Sequence, residues 1–244
     1  MKHFYILLWC TAALAADDPV SRMLDAKLTV AQRNNACFAL RGNRSPEAIA
    51  ALRGALASDV VRACAARDLR EAGAVDELTN ALTAAQPEVR AVAARELGGF
   101  ERPELIPLLA EAARDPVALV ATNAVMGLGL YHDRAVLPYL LDLAAGKGQA
   151  SVAALSRAAR FDEPATLATA RKLLTGTDVA AKLVALVIVG DCGDASDLPR
   201  LGEIAARNES LTSRGRGFGL LPSLNLGRAA GNAIQAIEKR QHPG

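Results

Sequence analysis

Few residues in this chain could do chemistry, and their spacing keeps them apart. Three histidines fall at His3, His132 and His242, and four cysteines at Cys10, Cys37, Cys64 and Cys192. A tetrahedral metal site needs three or four convergent ligands, usually in close pairs along the chain, and no Cys/His cluster here has that spacing. Asp191, Asp194 and Asp197 stand three residues apart. A calcium loop takes ligands at alternate residues, so turn and capping roles fit these carboxylates better. There is no Gly-x-Ser-x-Gly elbow and no phosphate-cradling glycine loop. The segment SRGRGFGLLPSLNLG is suited to recognition instead, because it carries Arg214, Arg216, Phe218 and Leu221, with Arg228 just beyond. Apolar side chains rimmed by arginines form a surface for a peptide or an acidic partner segment. The expectation is a binding protein with no catalytic residue, no cofactor and no metal.

Composition points the same way. Apolar residues make up 51% of the 244, yet aromatics only 4%, so Ala, Leu and Val must build the core. Small side chains let helices approach closely, which suits stacked helical pairs. Lys and Arg total 28 against 26 acids. That balance argues against nucleic acid, which calls for a basic face.

The elements that must position these residues recur along the chain. VVRACAARDL ends at Leu69, EVRAVAAREL at Leu97 and VATNAVMGL at Leu128; the same slot falls at Leu40, Ala158, Val189 and Ile237. Successive steps are 29, 28, 31, 30, 31 and 48 residues. A period of this size marks stacked supersecondary units. Small or apolar residues three and four positions before each slot, such as Ala65 and Ala66 or Ala93 and Ala94, give the second helix of each unit one buried stripe. First helices open at Pro46-Glu47 toward Ile49, Leu52 and Leu56, at Val75 toward Leu78 and Leu82, and at Pro103-Glu104 toward Leu105, Leu108 and Leu109. Pro107, Pro138 and Pro199 recur within about the first turn, where they bend the helix start. Gly42, Gly73, Gly98-Gly99, Gly129 and Gly190 follow second helices, where a left-handed cap is expected. Asp59, Asp115 and Asp178 precede second helices, at or near caps. Cys37 and Cys64 fall on neighbouring second helices. They read as small buried hydrophobes between Ala-rich faces, since no spacing here marks a disulfide framework.

A basic residue early in the second helix followed by Ala-rich spacing, as in Val61-Arg62, Val89-Arg90 and Gln32-Arg33, resembles the HEAT repeat in its short form of about thirty residues. The resemblance runs from about Ser21 to Arg240. Thr122 replaces the basic residue in one unit, so an Asp–Arg ladder is incomplete there. The resemblance implies an all-α right-handed solenoid of about six to seven helical pairs that serves as a protein-binding scaffold. One enzymatic branch that these repeats resemble, the deoxyhypusine hydroxylases, binds two irons through His-Glu pairs; no His-Glu dipeptide exists in this chain. The rival reading is an accessory or lyase-like protein holding a small molecule in the solenoid groove.

Two segments break the pattern. The 48-residue step holds an insertion at about 208–227, expected to fold over the apolar run Leu183–Val189 and cap the array; a binding loop is the alternative. At the other end, Lys2 and His3 precede an apolar run from Phe4 to Leu14, followed by Ala13-Leu14-Ala15 and then Asp17-Asp18-Pro19. This is the layout of a secretory signal peptide over residues 1–16, too short for a membrane span. The solenoid would then occupy residues 17–244 of a secreted or periplasmic protein. N-terminal sequencing of exported material should give Ala16 or Asp17; a chain still starting at Met1 would refute the reading.

Overall fold

The computed structural model describes residues 18–161, 163–207 and 225–242. The leader expected at residues 1–16 and most of the 208–227 insertion lie outside them. Among the described residues the protein is all-α, a solenoid of seven helical hairpins with no strand and no helix long and apolar enough to cross a membrane. The chain divides into two compact units, Met1–His132 and Asp133–Gly244.

The first unit holds four hairpins: α1 (Pro19–Leu24) with α2 (Val30–Phe38), α3 (Pro46–Ala55) with α4 (Arg62–Ala72), α5 (Val75–Ala81) with α6 (Pro87–Gly98), and α7 (Ile106–Ala112) with α8 (Ala118–Leu128). The second holds three: α9 (Leu137–Ala144) with α10 (Gln149–Ala158), α11 (Pro164–Leu173) with α12 (Val179–Cys192), and α13 (Leu198–Arg207) with α14 (Leu226–Gln241). Every slot read from the period is buried: Leu40, Leu69, Leu97, Leu128, Ala158, Val189 and Ile237. First-helix leucines follow the expected stripe at Leu52, Leu78 and Leu109, but Leu108 is exposed and Ile106 takes the inward position.

Second helices meet at backbone distance. A Cβ on Gly98 of α6 would collide with the Gly127 backbone of α8, and one on Gly127 would lie 2.6 Å from the Ala94 carbonyl oxygen. Only a side chain of one hydrogen fits such a crossing. In the second unit Gly190 of α12 sits against Ala233 of α14, where a Cβ would come within 3.1 Å of its Cα.

These contacts correct the glycine assignments. Gly42 and Gly73 do take positive φ, at 70° and 80°. Gly98 closes α6, Gly99 and Gly129 keep right-handed values of −70° and −66°, and Gly190 is inside α12. Packing, not chain reversal, selects Gly98 and Gly190. The recurrent prolines behave as read: Pro107, Pro138 and Pro199 each stand second in an α-helix entered through a 3₁₀ turn. A missing N–H costs nothing there, and the tighter turn absorbs the ring. Of the capping acids, Asp178 accepts from the N–H groups of Ala180 and Ala181, whereas Asp59 pairs with Arg62. Asp133 and Asp194 cap 3₁₀ turns, as expected of turn carboxylates.

The cysteine reading is also corrected: Cys37 of α2 and Cys64 of α4 form a disulfide. Their Cα atoms are 6.4 Å apart, within reach of one bridge. The two cysteines occupy different offsets from their slots, so the repeat pattern does not announce the pairing. Closing a loop of 27 residues stabilises by roughly 3–4 kcal/mol in the chain-entropy picture.

Charged side chains tie successive units. Arg33 donates to the Met23 carbonyl and the Ser58 hydroxyl, and Arg62 to the carbonyls of Leu56 and Ala57. Arg90 donates to the carbonyls of Ala84 and Ala85 and forks onto Asp115 of the next unit at 2.8 and 3.1 Å. At the next rung Thr122 leaves its hydroxyl buried without a partner, so the ladder is incomplete where the sequence says it is. In the second unit Arg134 pairs with Glu163, and Arg171 with Asp194 and Asp197.

Two predictions follow from this packing. Gly127→Ala should lose about 1–3 kcal/mol in urea unfolding through overpacking. Gly231→Ala, mid-helix in α14 with nothing within 4 Å of the new methyl, should gain about 0.5–1 kcal/mol. Equal effects would remove the close-approach argument. The hydrogen bonds from Arg90 hold Asp115 below the ordinary carboxylate value. A carboxyl depressed on folding adds stability above its unfolded pKa of about 3.9 and loses it as pH falls through the folded value. The stability gap between wild type and Asp115→Asn should therefore be full at pH 6 and shrink toward pH 2–3. A pH-independent gap would contradict the pairing.

Candidate functional site

On each second helix the residue two positions before the buried slot faces away from the core. In the first unit these residues are Phe38, Arg67, Arg95 and Met126, one from each of α2, α4, α6 and α8. Phe38 is 46% exposed, a large value for an aromatic side chain in a chain with so few. Arg95 is exposed, and Arg67 and Met126 are half-buried. The rungs are in register, since the Arg67 guanidinium carbon lies 4.9 Å above the Phe38 ring. That stacking keeps Arg67 extended along the row.

A second row runs beside this one and is internally neutralised. Arg41 pairs with Glu71, Glu71 lies 3.8 Å from Arg70, and Arg70 reaches Glu96 at 2.8 Å. Arg41 holds the Glu71 carboxyl below its ordinary value, so the row stays ionised at neutral pH. No ion pair among the described residues involves Arg67 or Arg95, so their charges are available for a ligand. The equivalent positions of the second unit are Ser156, Val187 and Gln235, with no cation. Val187 is nonetheless 60% exposed on the apolar helix α12.

Two inter-helix grooves are less distinctive, one between first helices and one between second helices. One of about 440 Å³ between α3 and α5 is lined by Arg53, Leu56, Glu77, Asn80 and Val89; another of about 500 Å³ between α10 and α12 is lined by Gln149, Val152, Ser156, Asp178 and Val184. Among the described residues, the one group of potential metal ligands is Cys37, Cys64 and Asp68. With its sulfurs bonded to each other it presents no thiolate. His132 is 2.8 Å from Glu101 on an exposed turn, and the buried Tyr131 hydroxyl donates to the Arg102 carbonyl.

Of the residues singled out in the sequence, Arg214, Arg216, Phe218 and Leu221 lie outside the described residues. Arg228 is exposed in the first turn of α14, its backbone N–H bonded to the Asn225 side chain. The exposed row was missed because its residue types vary from unit to unit. The available signal was positional, a fixed offset from a slot already identified.

No curated protein matches the chain in sequence. Among solved structures it is similar to human deoxyhypusine hydroxylase in complex with glycerol, at 17% identity over 95% of this chain and 99% of that one, with a TM-score of 0.41. It is also similar to the CpcE–CpcF complex of phycocyanin lyase from Nostoc sp. PCC7120, at 20% identity over 90% and 93% and a TM-score of 0.42. An engineered protein matches at 19% identity over 91% and 95%, with a TM-score of 0.32. The family model for HEAT repeats matches residues 75–155, which run from α5 into α10. That segment carries HEAT repeats, and the same helix–turn–helix hairpin continues on either side of it.

Proposed function

We propose that this chain is an exported scaffold that binds a protein partner and catalyses no reaction itself. HEAT repeats generally mediate protein interactions. The observation that carries the reading is the row Phe38–Arg67–Arg95–Met126, which sets two cations not engaged in ion pairs between apolar anchors. Consecutive second helices spaced about 8–10 Å apart make four rungs span roughly 25–30 Å. An extended segment of about eight or nine residues covers that length. The complementary ligand carries carboxylates between aliphatic or aromatic side chains, with apolar contact at the ends and charge in the middle. Export is supported by the leader pattern of residues 1–16 and by the Cys37–Cys64 bridge, since disulfides persist in oxidising compartments.

Affinity capture with the mature protein tests this reading. A variant combining Phe38→Ala, Arg67→Glu and Arg95→Glu should melt within about 1 kcal/mol of wild type, because surface substitutions cost little. It should lose its partner by roughly 30-fold or more, the scale of an interface hot spot. Wild-type capture should weaken with salt. Undiminished capture by this variant, with loss on Arg214→Glu/Arg216→Glu instead, would move the site to the insertion and overturn the assignment.

A further inference from the structure

Asp68 is fully buried one turn beyond Cys64, and its Oδ2 lies 3.5 Å from both sulfurs of the disulfide. Its Oδ1 has no hydrogen-bond partner. A disulfide has no proton to donate, so in the oxidised protein the ionised carboxylate finds no hydrogen-bond donor at the two sulfurs. Leaving a buried polar group in that state is costly. Reduction changes the chemistry of the site. Once the bond is broken and the sulfurs separate to van der Waals contact, each thiol has Oδ2 within reach as an acceptor for its S–H. The carboxyl is thus better satisfied in the dithiol form than in the disulfide form.

We propose that Cys37, Cys64 and Asp68 form a thiol–disulfide exchange site whose substrate is a dithiol reductant. A reductant thiolate attacks Cys64, the sulfur with slight exposure; the Cys37–Cys64 bond breaks, and Cys37 leaves as thiolate and takes the Asp68 proton. The second reductant thiol then attacks the mixed disulfide, closing the reductant's own disulfide and releasing Cys64, which is protonated. Two electrons pass from the reductant to the protein. Starting from protonated Asp68, the two reductant hydrogens end on Cys64 and in solvent, so one proton is released. Starting from ionised Asp68, both thiol hydrogens come from the reductant and none is released.

Access requires the α1–α2 hairpin to hinge, and its core is thin. Met23, Ala36 and Cys37 are its buried helical residues, while Leu24, Val30 and Phe38 are exposed. Such terminal units open locally at small cost. Burial pushes the Asp68 carboxyl up to about 6, offset in part by Arg67 and Arg41 and reinforced by Glu71. The arginines stay cationic throughout, and Glu71 is held ionised by Arg41. Between pH 5 and 7.5 Asp68 is therefore the titrating group facing the sulfurs.

The test is the equilibrium of the full-length mature protein against reduced and oxidised dithiothreitol, measured by thiol trapping from pH 5 to 7.5 with a chelator present. For wild type the constant for reduction should rise with pH up to about 6 and level off above it. A shift of one pKa unit between the two states gives roughly a tenfold rise. Asp68→Asn, which preserves shape, should give a level profile and a disulfide about tenfold harder to reduce near neutral pH. Hydrogen exchange in residues 19–41 should speed up on reduction, while α6 and α8 stay protected. Parallel wild-type and Asp68→Asn profiles would overturn the proposal, as would purified protein that carries free thiols at Cys37 and Cys64 under air. A bridge that resists dithiothreitol until the whole unit unfolds would do the same. If Asp68→Asn fails to fold, Asp68→Ser replaces it, and a level profile is again the expected result.

Discussion

The first unit rests on one steric constraint: the second helices α6 and α8 cross with their backbones in contact. Where α6 meets α8, Gly98 and Gly127 leave no room for a methyl group. On the same two helices Ala91, Ala94, Ala121 and Ala124 are all buried. Contact at this distance explains a core of small residues and few aromatics. It also explains a period near thirty residues, since short helices with short turns suffice to bring each new pair onto the last. Burial of alanine alone contributes little per residue, so stability must come from many such contacts repeated along the stack.

Close spacing brings charged rims within reach of each other. Arg90 reaches Asp115 and Arg70 reaches Glu96 because neighbouring helices differ by one rung and their side chains are long. The pairs are part-exposed, and each adds modestly to stability. Their larger consequence is selective. By pairing Arg41, Arg70 and Arg90, the ladder leaves Arg67 and Arg95 as the cations of the second-helix row that form no ion pair among the described residues. A repeated surface thereby acquires one distinctive stretch, and that stretch lies in the first unit.

Legibility in the sequence followed physical constraint. Buried slots were readable because every unit must fill them, and all seven proved buried. Helix starts were readable because proline and capping acids work through local backbone geometry. Glycine was misread at Gly98 and Gly190, where a residue that fits a left-handed cap also fits a helix crossing; only the identity of the facing residue separates the two. The Cys37–Cys64 bridge was hidden because it joins different offsets on adjacent helices. Asp68 was hidden as well, since the matching positions hold Ala39, Glu96 and Gly127 and show no preference. The row from Phe38 to Met126 has a constant position but no constant residue type, as positions outside the packed core have.

Native-state hydrogen exchange across the first unit addresses the backbone contact most directly. If Gly98 and Gly127 lock α6 to α8, amides around Ala94–Gly98 and Ala124–Leu128 form one cooperative set, the slowest of the unit, and exchange only with its global unfolding. Exchange of α8 through a separate, lower-energy opening while α6 stays protected would contradict the account.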